Sequence, residues 1–147
     1  INTLVERILK QLRPIAAKNN IEVGFESFRP VTAEVDEVKL SLAITNLVEN
    51  AIKYNRENGS VTVSAIRKKN EVVLTVSDTG NGIDEAFREQ IFEPFFLVDK
   101  SRSRELGGVG LGLALVREIV RVHDGKIEVR GNEQGGTTFE VRMGITE

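Results

Sequence analysis

The sequence predicts an α+β fold, a two-layer sandwich in which a mixed, mostly antiparallel sheet is covered on one face by helices. Three observations predict it. Residues 2–18, 37–54 and 111–122 repeat apolar side chains at helical spacing. Residues 60–67 with 71–77, and 126–130 with 137–143, alternate apolar and polar in pairs joined by short polar or glycine-rich connections, the pattern of antiparallel hairpins. Each helix stripe and strand face is apolar on one side, so these sides have to be buried against each other.

Composition narrows the function classes. A chain of 147 residues, 40% hydrophobic and 29% charged, is long enough for one domain with its own core. Its net charge of −2 gives no general pull toward nucleic acid or an acidic membrane. The absence of cysteine excludes disulfides and thiolate metal sites, and a single histidine, His123, disfavours zinc. No apolar run approaches the ~20 residues of a membrane span and no signal peptide opens the chain, so a soluble, cytoplasmic domain is expected. The first residue is Ile1 and the only methionine is Met143, so residues 1–147 are expected to be a single domain cut from a longer parent, for which a membrane anchor stays open.

In order, Leu4, Val5, Ile8, Leu9, Leu12 and Ile15 give the first helix its stripe, and Pro14 is expected to kink or end it. Asn19-Asn20 breaks the pattern, and 21–27 alternates as a half-buried strand. Pro30 turns the chain into a short extended piece over 31–35. Asp36 is placed to cap the second helix, whose Leu40, Ala43, Ile44, Leu47, Val48, Ala51 and Ile52 form a broad apolar face. After a turn cluster at 55–59, Val61, Val63 and Ala65 alternate against Val72, Leu74 and Val76 in the first hairpin. A short helix is expected over 85–91, an aperiodic loop rich in charge and glycine over 93–108, and a last helix on Leu113, Leu115, Val116, Ile119 and Val120. Asp124-Gly125 then turns into the final hairpin, closed across 132–136.

The second helix carries the first candidate site. Asn46, Glu49, Asn50 and Lys53 fall within about a third of its circumference. Carboxamide oxygens ligate hard cations and an ammonium meets phosphate, so the stripe suits a metal-bound anionic ligand; it equally suits a plain solvated face. Asp78-Thr79-Gly80-Asn81-Gly82-Ile83 follows a strand, where a carboxylate beside glycines can accept from a donor such as an adenine amino group, or simply cap a turn. Gly107-Gly108-Val109-Gly110-Leu111-Gly112-Leu113 runs into the last helix. Backbone N–H groups there can face phosphate oxygens, or the glycines can serve as a hinge. It fits neither common nucleotide fingerprint: Leu113 replaces the third glycine of G-x-G-x-x-G, and Gly125-Lys126 lacks the rest of a P-loop.

Taken together, these motifs and Phe92-Glu93-Pro94-Phe95-Phe96 between them stand in a fixed order. In that order the chain resembles the ATP-binding catalytic domain of bacterial sensor histidine kinases, within the superfamily that includes DNA gyrase, a heat-shock chaperone, MutL and the anti-sigma serine kinases. The matching boxes are 46–55, 78–83, 92–96 and 108–113, and Gly135-Gly136-Thr137-Thr138-Phe139 resembles the family's last strand. The resemblance implies ATP and Mg²⁺ as cofactors. It implies that Asn50 coordinates Mg²⁺ with Asn46 beside it, that Lys53 meets phosphate and that Tyr54 packs on adenine. It also implies that Asp78 accepts from the adenine amino group in a pocket shaped by Gly80, Gly82 and Ile83, with Thr137 at its floor and Phe92 nearby. The backbone of Gly108, Val109, Gly110, Leu111, Gly112 and Leu113 is implied to hold phosphates, and 97–107 to form an ATP lid carrying Lys100, Arg102 and Arg104.

The function so implied is supply of the γ-phosphoryl group to a histidine on a separate dimerisation domain of the same parent, with a response regulator receiver domain downstream. Residues 1–147, expected to be monomeric, are expected to lack that acceptor domain and so to bind ATP without autophosphorylating, and His123 reads as a helix-end residue beside the dipole's negative pole. Leu97 stands where many relatives have arginine, and Val109 where threonine is common. Two alternatives accompany this reading: an ATP-binding regulatory module without transfer, and an ATPase or serine kinase of the superfamily. The second needs a general base one turn before Asn50, and Asn46 there cannot take a proton.

Overall fold

A computed structural model describes residues 1–18, 20–27, 36–56, 58–68, 70–80, 82–94, 112–133 and 135–144. The helices are α1 (Asn2–Ala17), α2 (Glu37–Lys53) and α3 (Gly112–Val122). The strands are β1 (Glu22–Glu26), β2 (Ser60–Lys68), β3 (Glu71–Asp78), β4 (Lys126–Gly131) and β5 (Thr137–Gly144). They form a mixed sheet in the order β1-β2-β3-β5-β4, antiparallel everywhere except between β1 and β2. The α+β two-layer expectation holds. The expected extended piece at 31–35 and most of the loop at 93–108 lie outside the described residues.

One core joins the layers. Val61, Val63 and Ala65 of β2, Val72, Leu74 and Val76 of β3, and Phe139, Val141 and Met143 of β5 are buried with the stripes of all three helices. The other face of the sheet is polar: Ser77 and Thr138 pair at 2.8 Å, and Arg142 bridges Glu71 at 3.1 Å and Glu140 at 3.0 Å. Asp36 caps α2 as expected, its Oδ1 accepting from Lys39 N at 3.0 Å.

Three local expectations are corrected. Pro14 neither ends α1 nor stops its burial, because Leu12 and Ala16 on either side of it are both core residues and hold the last turn down. Ala16 takes the core position expected of Ile15, which is 51% exposed. The expected helix over 85–91 is instead two single 3₁₀ turns, Glu85–Phe87 and Gln90–Phe92. A seven-residue segment is too short to offset the cost of nucleating an α-helix, so it is fixed by its ends: Asp84 caps the first turn, and Ile91 and Phe92 are buried.

α3 lies antiparallel along α2. At one end, Asp36 N donates to His123 Nε2 at 3.2 Å while His123 Nδ1 meets the Ile119 carbonyl at 2.8 Å. A carbonyl only accepts, so Nδ1 carries the hydrogen and Nε2 is left to accept. At the other end, a Cβ on Gly112 would stand 3.0 Å from Asn46 Oδ1. His123 is therefore a crosslink between the two helices.

Candidate functional site at the end of the central strands

Three elements converge where α2 ends, β3 ends and β5 begins. Gly80 allows the first contact: a Cβ there would come within 2.6 Å of the Tyr54 carbonyl oxygen and 3.1 Å of Asn55 Cα. The turn after β3 thus lies directly against the C-terminus of α2. Gly136 allows the second, since its Cβ would fall 2.0 Å from the Asp78 carbonyl oxygen, well inside any tolerable contact. Only glycine lets β5 start this close to β3.

Asp78 sits in the angle so formed. Its Oδ1 accepts from Gly80 N at 2.9 Å and Thr137 N at 3.2 Å. No described residue donates to its other oxygen. Burial pushes the carboxyl above the ordinary aspartate value, and the two backbone N–H bonds, which favour the charged form, offset this only in part. The result is a half-buried carboxylate, oriented by main chain, with one oxygen left to accept from something else. Gly82 adopts φ +73° against the Gly135 carbonyl, Ile83 packs half-buried on the core, and Thr137 is buried.

The second group of predicted residues lies along α2. Asn46 is half-buried and donates Nδ2 to the Leu42 carbonyl at 2.8 Å, which aims its Oδ1 toward the first residue of α3. Asn50 is half-buried, and its carboxamide makes no hydrogen bond among the described residues. Lys53 is exposed in the last turn, and Tyr54 is the half-buried C-cap. No group of three or more histidine, aspartate or glutamate side chains among the described residues could hold a metal ion. A lone carboxamide oxygen fits a hard cation that brings most of its ligands with it, on phosphate and water.

Phe92 is 5% exposed, edge-on to Phe139 at 6.2 Å, with the Arg117 guanidinium 5.8 Å from its ring centre. It pins the 3₁₀ segment to α3 and β5. Leu113 is half-buried against the core, and Gly112 opens α3. Lys100, Arg102, Gly108, Val109, Gly110 and Leu111 lie outside the described residues.

Sequence reasoning missed two side chains that build this site. Asn55 is 6% exposed; its Nδ2 donates to Ser60 O at 3.0 Å while its Oδ1 accepts from Arg56 N at 2.9 Å and Thr79 Oγ at 3.2 Å. It latches the end of α2 to the residue after Asp78. Asn132, in the β4–β5 connection, reaches the Asp78 carbonyl at 2.8 Å. Both read in sequence as ordinary turn residues. The one signal was their type: asparagine both donates and accepts, as a buried joint between two backbones requires.

Residues 35–147 match the model of the histidine kinase-, DNA gyrase B- and HSP90-like ATPase family. This chain belongs to that family. Among curated relatives, it is 38% identical to the sensor protein CiaH of Streptococcus pneumoniae over 131 residues, 89% of this chain and 30% of that protein. The chain spans about a third of the length of the curated relatives it matches. Among solved structures, the nucleotide-free catalytic domain of histidine kinase ThkA superposes with a TM-score of 0.88 at 30% identity, covering 99% of this chain and 93% of that one. A second ThkA structure, in complex with the response regulator protein TrrA, gives 0.83 at 28% identity over 99% of this chain and 40% of that one. Full-length ShkA in complex with AMPPNP gives 0.86 at 28% identity over 98% of this chain and 30% of that one. The chain has the fold of a histidine kinase catalytic domain, and its family is one of ATPases. Among the described residues, no helix is long and apolar enough to cross a membrane.

Proposed function

We propose that this chain binds Mg-ATP and supplies its γ-phosphoryl group to a histidine on a separate dimerisation domain of the parent protein, from which a response regulator receiver domain takes the phosphate. The observation that carries the nucleotide reading is Asp78, a carboxylate held by two backbone N–H groups on one oxygen with its other oxygen free of described donors. The free oxygen accepts from the adenine amino group, and Tyr54, Gly80, Gly82, Ile83 and Thr137 enclose the base. From there the polar stripe of α2 leads toward the start of α3. Asn50 and Asn46 lie along it, and Lys53 at its end meets phosphate. Asn50 would hold Mg²⁺, which when bound neutralises phosphate charge.

The chemistry asked of this domain is positional. The acceptor imidazole is already a nucleophile when neutral, so the domain has to hold the γ-phosphoryl in line and exclude competing water. Asn46 supports a histidine acceptor over water or serine. Its Nδ2 is engaged on the Leu42 carbonyl and its oxygen cannot take a proton at neutral pH, so it offers no general base. The ThkA–TrrA complex supports the response regulator as a partner, and ShkA bound to AMPPNP supports an adenine nucleotide as ligand.

The test mixes the chain with labelled ATP, Mg²⁺ and the histidine-bearing segment of its parent. Acid-labile, base-stable phosphate on that segment is the expected result. ATP binding without transfer would leave a nucleotide-binding module, and release of inorganic phosphate by the chain alone would favour an ATPase.

A further inference from the structure

We infer that Asn132 is a positioning residue for base selectivity, closing a hydrogen-bonded ring that holds Asp78 in register with β5. This inference rests on the reading of Asp78 as the adenine acceptor. The ring can be followed atom by atom. Asn132 Nδ2 donates to the Asp78 carbonyl at 2.8 Å, and Asn132 Oδ1 accepts from Gly136 N at 3.0 Å. The next amide, Thr137 N, donates to Asp78 Oδ1 at 3.2 Å, which returns to the residue where the ring began. One planar carboxamide therefore sets the distance between the Asp78 main chain and the amide that orients the Asp78 side chain.

The backbone dictates which end of the amide faces which way. Gly136 N only donates and the Asp78 carbonyl only accepts, so the oxygen must face the first and the nitrogen the second. Further bonds fix the ring's surroundings. Asn132 Nδ2 also lies 3.0 Å from Ser77 Oγ and 3.4 Å from Thr138 Oγ. Its own main chain closes the turn, with Asn132 N donating to Gly136 O at 3.2 Å and Gly135 N donating to Asn132 O at 3.1 Å. Gly136 has no room to shift toward β3, because even a Cβ there would meet the Asp78 carbonyl. Losing Asn132 leaves only outward movement, which draws Thr137 N away from Asp78 Oδ1. The carboxylate then keeps Gly80 N alone and can turn about its last torsion. No other side chain replaces the joint: aspartate keeps the acceptor for Gly136 but sets an oxygen against the Asp78 carbonyl, and alanine removes both contacts.

The test is competition binding with Mg-ATP, Mg-GTP and inorganic tripolyphosphate on the whole chain, for wild type, Asn132→Ala, Asn132→Asp and Asp78→Asn. Tripolyphosphate has no base, so it separates base selectivity from general damage to the fold. Both Asn132 variants should lose about tenfold in the ATP-over-GTP preference while tripolyphosphate competes within about twofold of wild type. If Asp78→Asn lowers the preference but neither Asn132 variant does, the positioning role is overturned while the adenine reading stands. If the Asn132 variants weaken all three ligands equally, Asn132 is only a structural joint and the inference also fails. If Asp78→Asn leaves the preference unchanged, the adenine reading itself fails and takes this inference with it.

Discussion

Asp78 and Asn50 are both half-buried polar side chains on regular elements, but among the described residues one side chain is tied by hydrogen bonds and the other is not. Asp78 is held through Oδ1 by Gly80 N and Thr137 N, and its main chain is held in turn by Asn132. Asn50 has no side-chain hydrogen bond among the described residues. The difference separates two ways of building a binding site. On the proposed function, the Asp78 end presents an acceptor oriented before any ligand arrives, so binding there would cost little ordering and discriminate sharply. On the same proposal, the Asn50 end would offer a carboxamide to ligand or cation, and affinity there would depend on what the ligand brings.

The largest effect should come from breaking the held end. Asp78→Ala removes the acceptor and strands the Gly80 and Thr137 amides, so ATP affinity should fall by about 100-fold or more, the scale of a lost charge-assisted bond plus two unsatisfied donors. Titration calorimetry measures it, and a loss under about threefold would show that the held carboxylate does not face the nucleotide.

A smaller, conditional effect is expected at the open end. Asn50→Ala should weaken ATP about 30-fold with Mg²⁺ present and by much less with the metal chelated. Asn50→Asp should lose less than Asn50→Ala, because an oxygen ligand survives. Equal losses with and without Mg²⁺ would remove Asn50 from the metal's surroundings.

A third change tests the latch between the two ends. Asn55 is buried and serves Ser60 O, Arg56 N and Thr79 Oγ, while Gly59 is pressed against it. Asn55→Ala should cost about 2 kcal/mol of stability, the scale of buried backbone groups left unpaired. Urea unfolding measures it. A cost below about 0.5 kcal/mol would mean that water replaces the side chain and the latch is not structural.

These residues also mark what the sequence made legible. The helix and strand periods placed the five strands and three α-helices found among the described residues, because each period spans enough residues to be unambiguous. The polar stripe of α2 was legible for the same reason, as its spacing is the helix's own. The helix at 85–91 was misread because a short apolar run carries no information about whether a full α turn can nucleate. Ile15 was misread because, near the end of a stripe, adjacent apolar residues fit it equally well, and only packing decides for Ala16. Asn55 and Asn132 were opaque for a different reason. Asn132 acts on Asp78, 54 positions away, and Asn55 on Thr79, 24 positions away, so their roles exist only once the sheet is assembled.

The smallest effect concerns what holding Asp78 costs. Burial raises its carboxyl above the ordinary aspartate value, and the Gly80 and Thr137 N–H bonds offset this only in part. Between the unfolded and the folded value the folded protein therefore binds more protons than the unfolded chain, and stability falls as pH rises through that window. Above the window the folded state carries the full cost of a desolvated carboxylate, and below the unfolded value both states are protonated and the cost disappears. Asp78→Asn removes the charge and keeps an oxygen for the two amides. Without ligand, this variant should melt at or slightly above wild type near pH 7, by about 2 °C or less, and the gap should close toward pH 4. The same variant should discriminate less well between ATP and GTP. A variant that melts below wild type at neutral pH, with a deficit that shrinks on acidification, would mean that the backbone bonds to the carboxylate outweigh its desolvation. The held end would then stabilise the fold as well as select the base.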